Sequence, residues 1–95
     1  MTEVILEQGV ETIGKHVFAH CGKLQTITLP QSLTAIGDGA FWQCSNLNTI
    51  TLPRNLKTIA KDAFWRCPPT LVFRVPAGSD AQSYCKQQGL NYRTY

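Results

Sequence analysis

The chain has 95 residues, 43% of them hydrophobic, and a net charge of +3. This length suits a single domain with a modest core. No apolar run approaches the ~20 residues of a membrane span, so we expect no membrane insertion, and so small a charge does not indicate nucleic acid as a partner.

The distribution of charge is uneven. Residues 1–47 carry two lysines against four carboxylates, a balance of −2, and residues 48–95 carry seven basic residues against two aspartates, a balance of +5. An acidic beginning and a basic end favour head-to-tail contact between molecules, but a solvated surface is the better explanation of them.

The N-terminal segment, MTEVILEQGVE, has neither the basic region nor the apolar region of a secretory signal peptide. The sequence therefore predicts either a cytoplasmic protein or a fragment of a longer exported one.

A repeat with a period of 23 residues organises the chain. The stretch from Leu24 to Cys44 (LQTITLPQSLTAIGDGAFWQC) matches the stretch from Leu47 to Cys67 (LNTITLPRNLKTIAKDAFWRC), 23 positions further on. A period in the twenties is typical of a solenoid. We predict one domain, residues 1–95, with coils at about 1–23, 24–46 and 47–69, and a terminal strand plus capping helix in 70–95.

The first coil is degenerate, with Val4 and Leu6 in the strand register. Its strand would leave an unpaired parallel edge with Ile5 exposed beside it, and such an edge invites pairing with another chain. Either earlier repeats precede it, or molecules associate with one another through this N-terminal edge strand.

Each later repeat predicts the same series of elements. Leu24-x-x-Ile27-x-Leu29 is typical of a short strand that Pro30 ends. A second extended piece, Leu33 to Ile36, and a helical turn, Gly37 to Cys44, complete the coil. Strands that follow one another in the same direction form a parallel sheet, so the fold class is an α/β solenoid with helical turns on the return side.

The last repeat keeps Thr70, Phe73 and Val75 in the strand register and then changes character. Ser79 and Gln82 form a capping-box pattern, Ala81, Tyr84 and Cys85 form one apolar stripe, and Gly89 ends the helix. We expect a C-terminal capping helix, followed by a last edge strand within residues 91–95.

Three of the four cysteines occupy one repeat position: Cys21, Cys44 and Cys67. The register predicts a column of small buried side chains and favours reduced thiols. A disulfide or a metal stays open as an alternative, since stacked thiols lie close enough for either.

The unit Cys-x-x-Leu-x-x-Ile-x-Leu-Pro-x-x-Leu-x-x-Ile-Gly-x-x-Ala-Phe-x-x-Cys resembles the BspA-like (Treponema-type) leucine-rich repeat. The stretch from Cys21 to Cys44 matches it throughout, and the next repeat departs only at Ala60. The resemblance implies a curved right-handed leucine-rich-repeat solenoid without catalytic residues. It also implies a secreted or cell-surface adhesin module that binds a host matrix or plasma protein.

Residue patterns for catalysis, cofactors or metals are weak. The adjacent pair His20 and Cys21 need not face each other, and Asp38 and Asp62 flank exposed turns. The sequence contains no glycine-rich phosphate loop and no zinc-spaced set of Cys and His. We therefore predict a non-enzymatic protein with no catalytic, cofactor or metal site.

The outward positions of the predicted strands provide the first candidate partner-binding surface. They are Gln25, Thr26 and Thr28, then Asn48, Thr49 and Thr51, then Leu71, Val72 and Arg74. Threonine columns stabilise a sheet through cross-strand packing, and they also make a flat polar docking face.

Trp42 and Trp65 share one repeat position and provide the second candidate partner-binding surface. We expect the two indoles to stack on each other beside Arg66 and Gln43. They either cover the edge of the core or form an aromatic patch for a protein or a sugar ring.

The function predicted is protein–protein interaction. The alternatives are a structural end segment of a longer array and a carbohydrate-binding surface through Trp42 and Trp65. Nucleic acid is disfavoured because the basic residues do not share one repeat column: Lys57, Lys61, Arg66 and Arg74.

Overall fold

The structure, a computed structural model, describes residues 3–95 and consists of short strands that recur with the repeat. In chain order the elements are β1 (Glu3–Ile5), β2 (Thr12–Ile13), β3 (Thr26–Thr28), β4 (Ala35–Ile36), β5 (Thr49–Thr51), β6 (Thr58–Ile59), β7 (Val72–Val75), α1 (Asp80–Gln88) and β8 (Tyr92–Thr94).

The strands form two parallel sheets. The first has five strands in the order β1-β3-β5-β7-β8, and the second has three in the order β2-β4-β6. Val4 pairs with Ile27, Ile27 with Ile50, and Ile50 with Phe73, so the register of the first sheet follows the sequence period. The predicted solenoid of parallel strands, return turns and one C-terminal helix is confirmed.

A stack of phenylalanines runs through the core from coil to coil. The rings of Phe18 and Phe41 lie 5.4 Å apart with 10° between their planes, and those of Phe41 and Phe64 lie 5.1 Å apart with 0°. Phe73 of β7 then meets Phe64 edge-on at 4.8 Å and ends the stack. Each coil therefore buries its aromatic side chain against its neighbours rather than within itself.

Helix α1 closes the C-terminal end of this core. Ser79 is its N-cap, with Oγ accepting from the Gln82 backbone N–H at 3.2 Å. The Gln82 side chain accepts from Gly78 N–H at 2.7 Å, one residue before the cap, because Ser79 N–H already donates to Pro76. Gly89 ends the helix in the left-handed conformation, at φ +69°.

The helix is fixed against the solenoid by three side chains on one side. Ala81 and Cys85 are fully buried, and the Tyr84 hydroxyl donates to the Ala60 carbonyl at 3.0 Å. Strand β8 then pairs with β7 in parallel, which confirms the expected last edge strand.

The prediction that Leu71 faces outward is wrong. Leu71 is 2% exposed and packs in the core, whereas Thr70 is exposed. In the regular repeats the N–H of Leu24 and of Leu47 donates to the cysteine three residues earlier, but Leu71 donates to Pro68. The Pro68-Pro69 segment thus delays the turn by one residue and brings Leu71 into the leucine column.

The N-terminal end of the stack is open in the described part of the chain. Val17 is 55% exposed, although Ala40 in the same register is fully buried, and Ile5 on β1 is 66% exposed. The difference arises because a preceding coil covers Ala40 and no element among residues 3–95 covers Val17.

Candidate functional site

The outer face of the five-stranded sheet carries two rows of side chains. Pairing aligns Glu3, Thr26, Thr49 and Val72 in one row, and Ile5, Thr28, Thr51, Arg74 and Arg93 in the other. The isoleucines between the rows, Ile27 and Ile50, are buried, so the alternation of the strands directs the threonines outward. We call this surface the strand face.

The sequence-predicted strand residues come together on the strand face. Thr26 and Thr28 are exposed, and Thr49 and Thr51 in the next coil are half-buried. Gln25 and Asn48 extend one row at the bend before each strand, where Asn48 N–H donates to the Gln25 carbonyl at 3.0 Å.

The charged end of the strand face is larger than the sequence predicted. Arg74 lies beside Arg93 in register, and its guanidinium lies 5.7 Å from the centre of the Tyr95 ring. The Tyr95 hydroxyl donates to the Leu52 carbonyl at 3.0 Å, which fixes the C-terminal residue to the sheet. Sequence reasoning missed Arg93 because its position depends on the pairing of β8.

The two tryptophans stack on the return turns, as their shared register predicted. Their ring centres lie 5.4 Å apart with 28° between the planes, and the Arg66 guanidinium lies 4.9 Å from the centre of the Trp65 ring. Trp65 is 53% exposed, whereas Trp42 is half-buried.

Two histidines of the first coil, His16 and His20, pack against Trp42 of the second coil. The rings of His16 and His20 lie 5.7 and 5.2 Å from it. Both histidines adopt left-handed backbone conformations, with φ of +59° and +62°, which is uncommon for residues other than glycine. Both histidines thus pack against the Trp42 indole, and Trp65 is the more accessible of the two tryptophans.

Backbone hydrogen bonds connect each return turn to the next one. Phe18 N–H donates to the Ala40 carbonyl at 2.8 Å, and Phe41 N–H donates to Ala63 at 2.7 Å. Two residues further along, His20 and Gln43 donate to Trp42 and Trp65 in the same way. We call this series the turn ladder; its donors always point toward the following coil.

One carboxylate belongs to the turn ladder. Asp62 Oδ1 accepts from the Gly39 N–H at 3.2 Å, whereas in the preceding coil the Asp38 backbone carbonyl accepts from His16. The Asp62 carboxylate thus takes the place that a backbone carbonyl has one coil earlier.

The cysteine column is confirmed only in part, because Cys44 is fully buried but Cys21 and Cys67 are half-buried. Cys44 Sγ donates to the Phe18 carbonyl and Cys67 Sγ to the Phe41 carbonyl, both at 3.1 Å. All four cysteines are free.

The thiols of Cys44, Cys67 and Cys85 are held in the protonated form. Burial, with a smaller effect of neighbouring Cys67, raises the pKa of Cys44 to about 12, and burial raises the pKa of Cys67 and of Cys85 to about 11. A protonated thiol is a poor nucleophile and a poor metal ligand. Within residues 3–95, no group of three or more His, Cys, Asp or Glu side chains is placed to hold a metal ion.

These features define a leucine-rich-repeat solenoid with two candidate binding surfaces, the strand face and the stacked tryptophans. The chain belongs to the BspA-type leucine-rich-repeat family: the family model described as "BspA type Leucine rich repeat region (6 copies)" matches residues 1–87. Comparison with curated proteins and with solved structures gives no match.

Leucine-rich repeats generally mediate protein–protein interaction, and their families are generally non-enzymatic scaffolds. In the described part of the chain, no helix is long and apolar enough to cross a membrane.

Proposed function

We propose that this chain is a non-enzymatic module that binds another protein through the strand face. The observation that carries the proposal is the alignment of polar side chains across adjacent strands, exposed at Thr26 and Thr28 and half-buried at Thr49 and Thr51. Small threonines in the middle of the face allow a partner to approach the sheet closely.

The size and charge of the strand face suit a protein partner. Five strands about 4.8 Å apart span about 20 Å, so a partner that buries ~800 Å² of this chain would also contact the loops that flank the strands. Glu3 at one end and Arg74 with Arg93 at the other would orient that partner. By family resemblance, the partner class we propose is a matrix or plasma protein bound by an adhesin.

The test uses immobilised matrix and plasma proteins and biolayer interferometry. Replacing Thr28 and Thr51 together by glutamate should weaken binding at least tenfold, because two charges would enter the middle of the interface. The matched control replaces Thr12 and Thr58, two exposed threonines of the second sheet, by glutamate as well. It should change the affinity less than twofold. Binding to no protein of the panel, or equal losses in both variants, contradicts the proposal.

A second candidate function, carbohydrate binding, rests on the 53% exposure of Trp65. The structure favours it less, since Trp42 is covered by His16, His20 and Trp65 itself. Titration with soluble glycans should then change tryptophan fluorescence in the parent protein and not after Trp65→Ala. An unchanged spectrum in the parent removes this candidate.

Self-association through β1 is a further part of the proposal. Glu3, Glu7 and Glu11 make the β1 end acidic, and Arg74 and Arg93 make the β8 end basic, so the two sheet edges complement each other in a head-to-tail pair. Sedimentation velocity should show dimers at high concentration that 0.5 M salt or Ile5→Lys reduces. A salt-independent monomer at every concentration contradicts this pairing.

A further inference from the structure

The last coil leaves the donors of the turn ladder open. Phe64 and Arg66 occupy the register of Phe41 and Gln43, whose N–H groups donate to the following coil. Among residues 3–95, neither the Phe64 N–H nor the Arg66 N–H has a hydrogen-bond acceptor. Helix α1 covers the end of the core here, but it supplies no carbonyl to these donors.

A cleft of about 200 Å³ adjoins the open donors. Its lining includes Lys61, Phe64, Trp65, Arg66, Tyr84 and Gln88, so it lies between the last return turn and α1. The Tyr84 hydroxyl donates to the Ala60 carbonyl at 3.0 Å and to the Lys61 carbonyl at 3.4 Å, and burial raises the pKa of this phenol, so its side chain contributes no charge.

The electrostatic character of the cleft is cationic. The lining contains Lys61 and Arg66 and no carboxylate. In the described part of the chain the single ion pair joins Lys57 and Asp80, at 3.6 Å, so neither cation of the cleft is neutralised by a partner. Asp62, the nearest acid in sequence, lies close enough to Tyr84 for its charge to add to the rise in the pKa of that phenol, but its Oδ1 accepts from the Gly39 N–H of the preceding coil.

The chain itself shows which acceptor fits such a donor. At the preceding interface between coils, the carboxylate of Asp62 accepts from Gly39 where a backbone carbonyl accepts one coil earlier. A carboxylate can thus replace a carbonyl in the turn ladder, and hydrogen bonds to a charged acceptor are about twice as strong as neutral ones.

We propose that this cleft binds a carboxylate-bearing segment of an acidic peptide. The carboxylate accepts from the N–H groups of Phe64 and Arg66, and the Lys61 and Arg66 side chains offset its charge. An apolar neighbour in the peptide packs against the part of Trp65 that stays accessible beside the Arg66 guanidinium, since this indole is 53% exposed. This site is separate from the strand face, and it gives the module a second contact with an acidic protein partner.

The direct test is an NMR titration of the ¹⁵N-labelled full chain. The probe is a capped peptide of alternating glutamate and leucine, and the control peptide has glutamine in place of glutamate. The acidic peptide should shift the amide signals of Phe64 and Arg66 downfield in a saturable way. The amides of Phe41 and Gln43 serve as internal controls, because the next coil already occupies them.

Variants separate the cleft from general attraction between charges. Arg66→Gln should weaken binding at least fivefold, and it should fold, because Gln43 has the same left-handed conformation at φ +57°. Lys61→Gln should also weaken the binding of the acidic peptide. Lys23→Gln removes an equal charge from the first coil and should change the affinity less than twofold.

Three results would overturn the proposal: no shift at the Phe64 and Arg66 amides, equal shifts with the glutamine peptide, or equal weakening by Lys23→Gln. The strand-face variant with glutamate at positions 28 and 51 should bind the acidic peptide normally. Failure of the cleft is thereby distinguished from failure of the strand face.

Discussion

The phenylalanine stack predicts a gradient of stability along the coils. Phe41 is fully buried between two stacked rings, at 5.4 and 5.1 Å. Phe18, in the first coil, is half-buried and stacks on Phe41 alone. Replacing either phenylalanine by leucine keeps an apolar side chain in place. Phe41→Leu removes two stacked ring pairs, and Phe18→Leu removes one.

The magnitudes follow from the number of ring pairs. An aromatic pair contributes about 0.5–1.5 kcal/mol beyond area burial, and a swap between apolar residues of similar volume costs under about 1.5 kcal/mol. We expect Phe41→Leu to lower the free energy of unfolding by ~2–4 kcal/mol and Phe18→Leu by ~1 kcal/mol. Domains are stable by about 5–15 kcal/mol, so both variants should remain folded.

Urea unfolding followed by circular dichroism and tryptophan fluorescence measures both values. Coincident transitions from the two probes establish that a single free energy is defined. If Phe41→Leu costs no more than Phe18→Leu, ring stacking between coils does not stabilise the solenoid in the way described.

Three further predictions concern the cap, a return turn and the thiols. Ser79→Ala should lower the free energy of unfolding by ~1 kcal/mol, measured in urea, because the α1 N-cap bond is lost; an unchanged value would contradict that role. Gly39→Ala should lower the free energy of unfolding in urea more than Gly78→Ala does. Both glycines have positive φ, but the new methyl group at position 39 would collide with the His16 imidazole. Equal decreases would mean that His16 moves out of the way freely. The melting temperature should fall as the pH rises from about 9 toward 12, because unfolded thiols ionise near 9 while burial keeps the pKa of Cys44 at about 12. This fall should be shallower in Cys44→Ala, and identical profiles would show that the thiol does not contribute.

The repeat made most of the fold predictable from the sequence. A 23-residue period fixes which residues pair, and thus places Ile27 beside Ile50 and Trp42 beside Trp65 before any coordinates exist. The capping residues Ser79 and Gly89 were also sufficient to predict both ends of α1, because helix caps are local interactions.

The errors occurred where the repeat is broken or ends. Leu71 was misplaced because two prolines before it shift the chain by one residue, a change that periodicity alone does not show. Cys21 and Val17 are more exposed than their register implies, because burial depends on a neighbouring coil and not on the repeat itself.

The candidate sites were predictable only as sets of outward positions. The register placed the threonines of the strand face, but Arg93 joins them only through the pairing of β8. The open donors at Phe64 and Arg66 are backbone groups, so no side-chain pattern in the sequence marks them.

The central claim is that the strand face is the protein-binding surface, and methyl NMR on threonine-labelled protein tests it most directly. When a partner from the matrix and plasma panel is bound, the methyl signals of the strand face should shift or broaden: Thr26, Thr28, Thr49 and Thr51. The methyl signals of Thr12 and Thr58 in the second sheet, and of Thr34 directly before β4, should not change. Perturbation of the second set, with the strand-face methyls unchanged, would contradict the account.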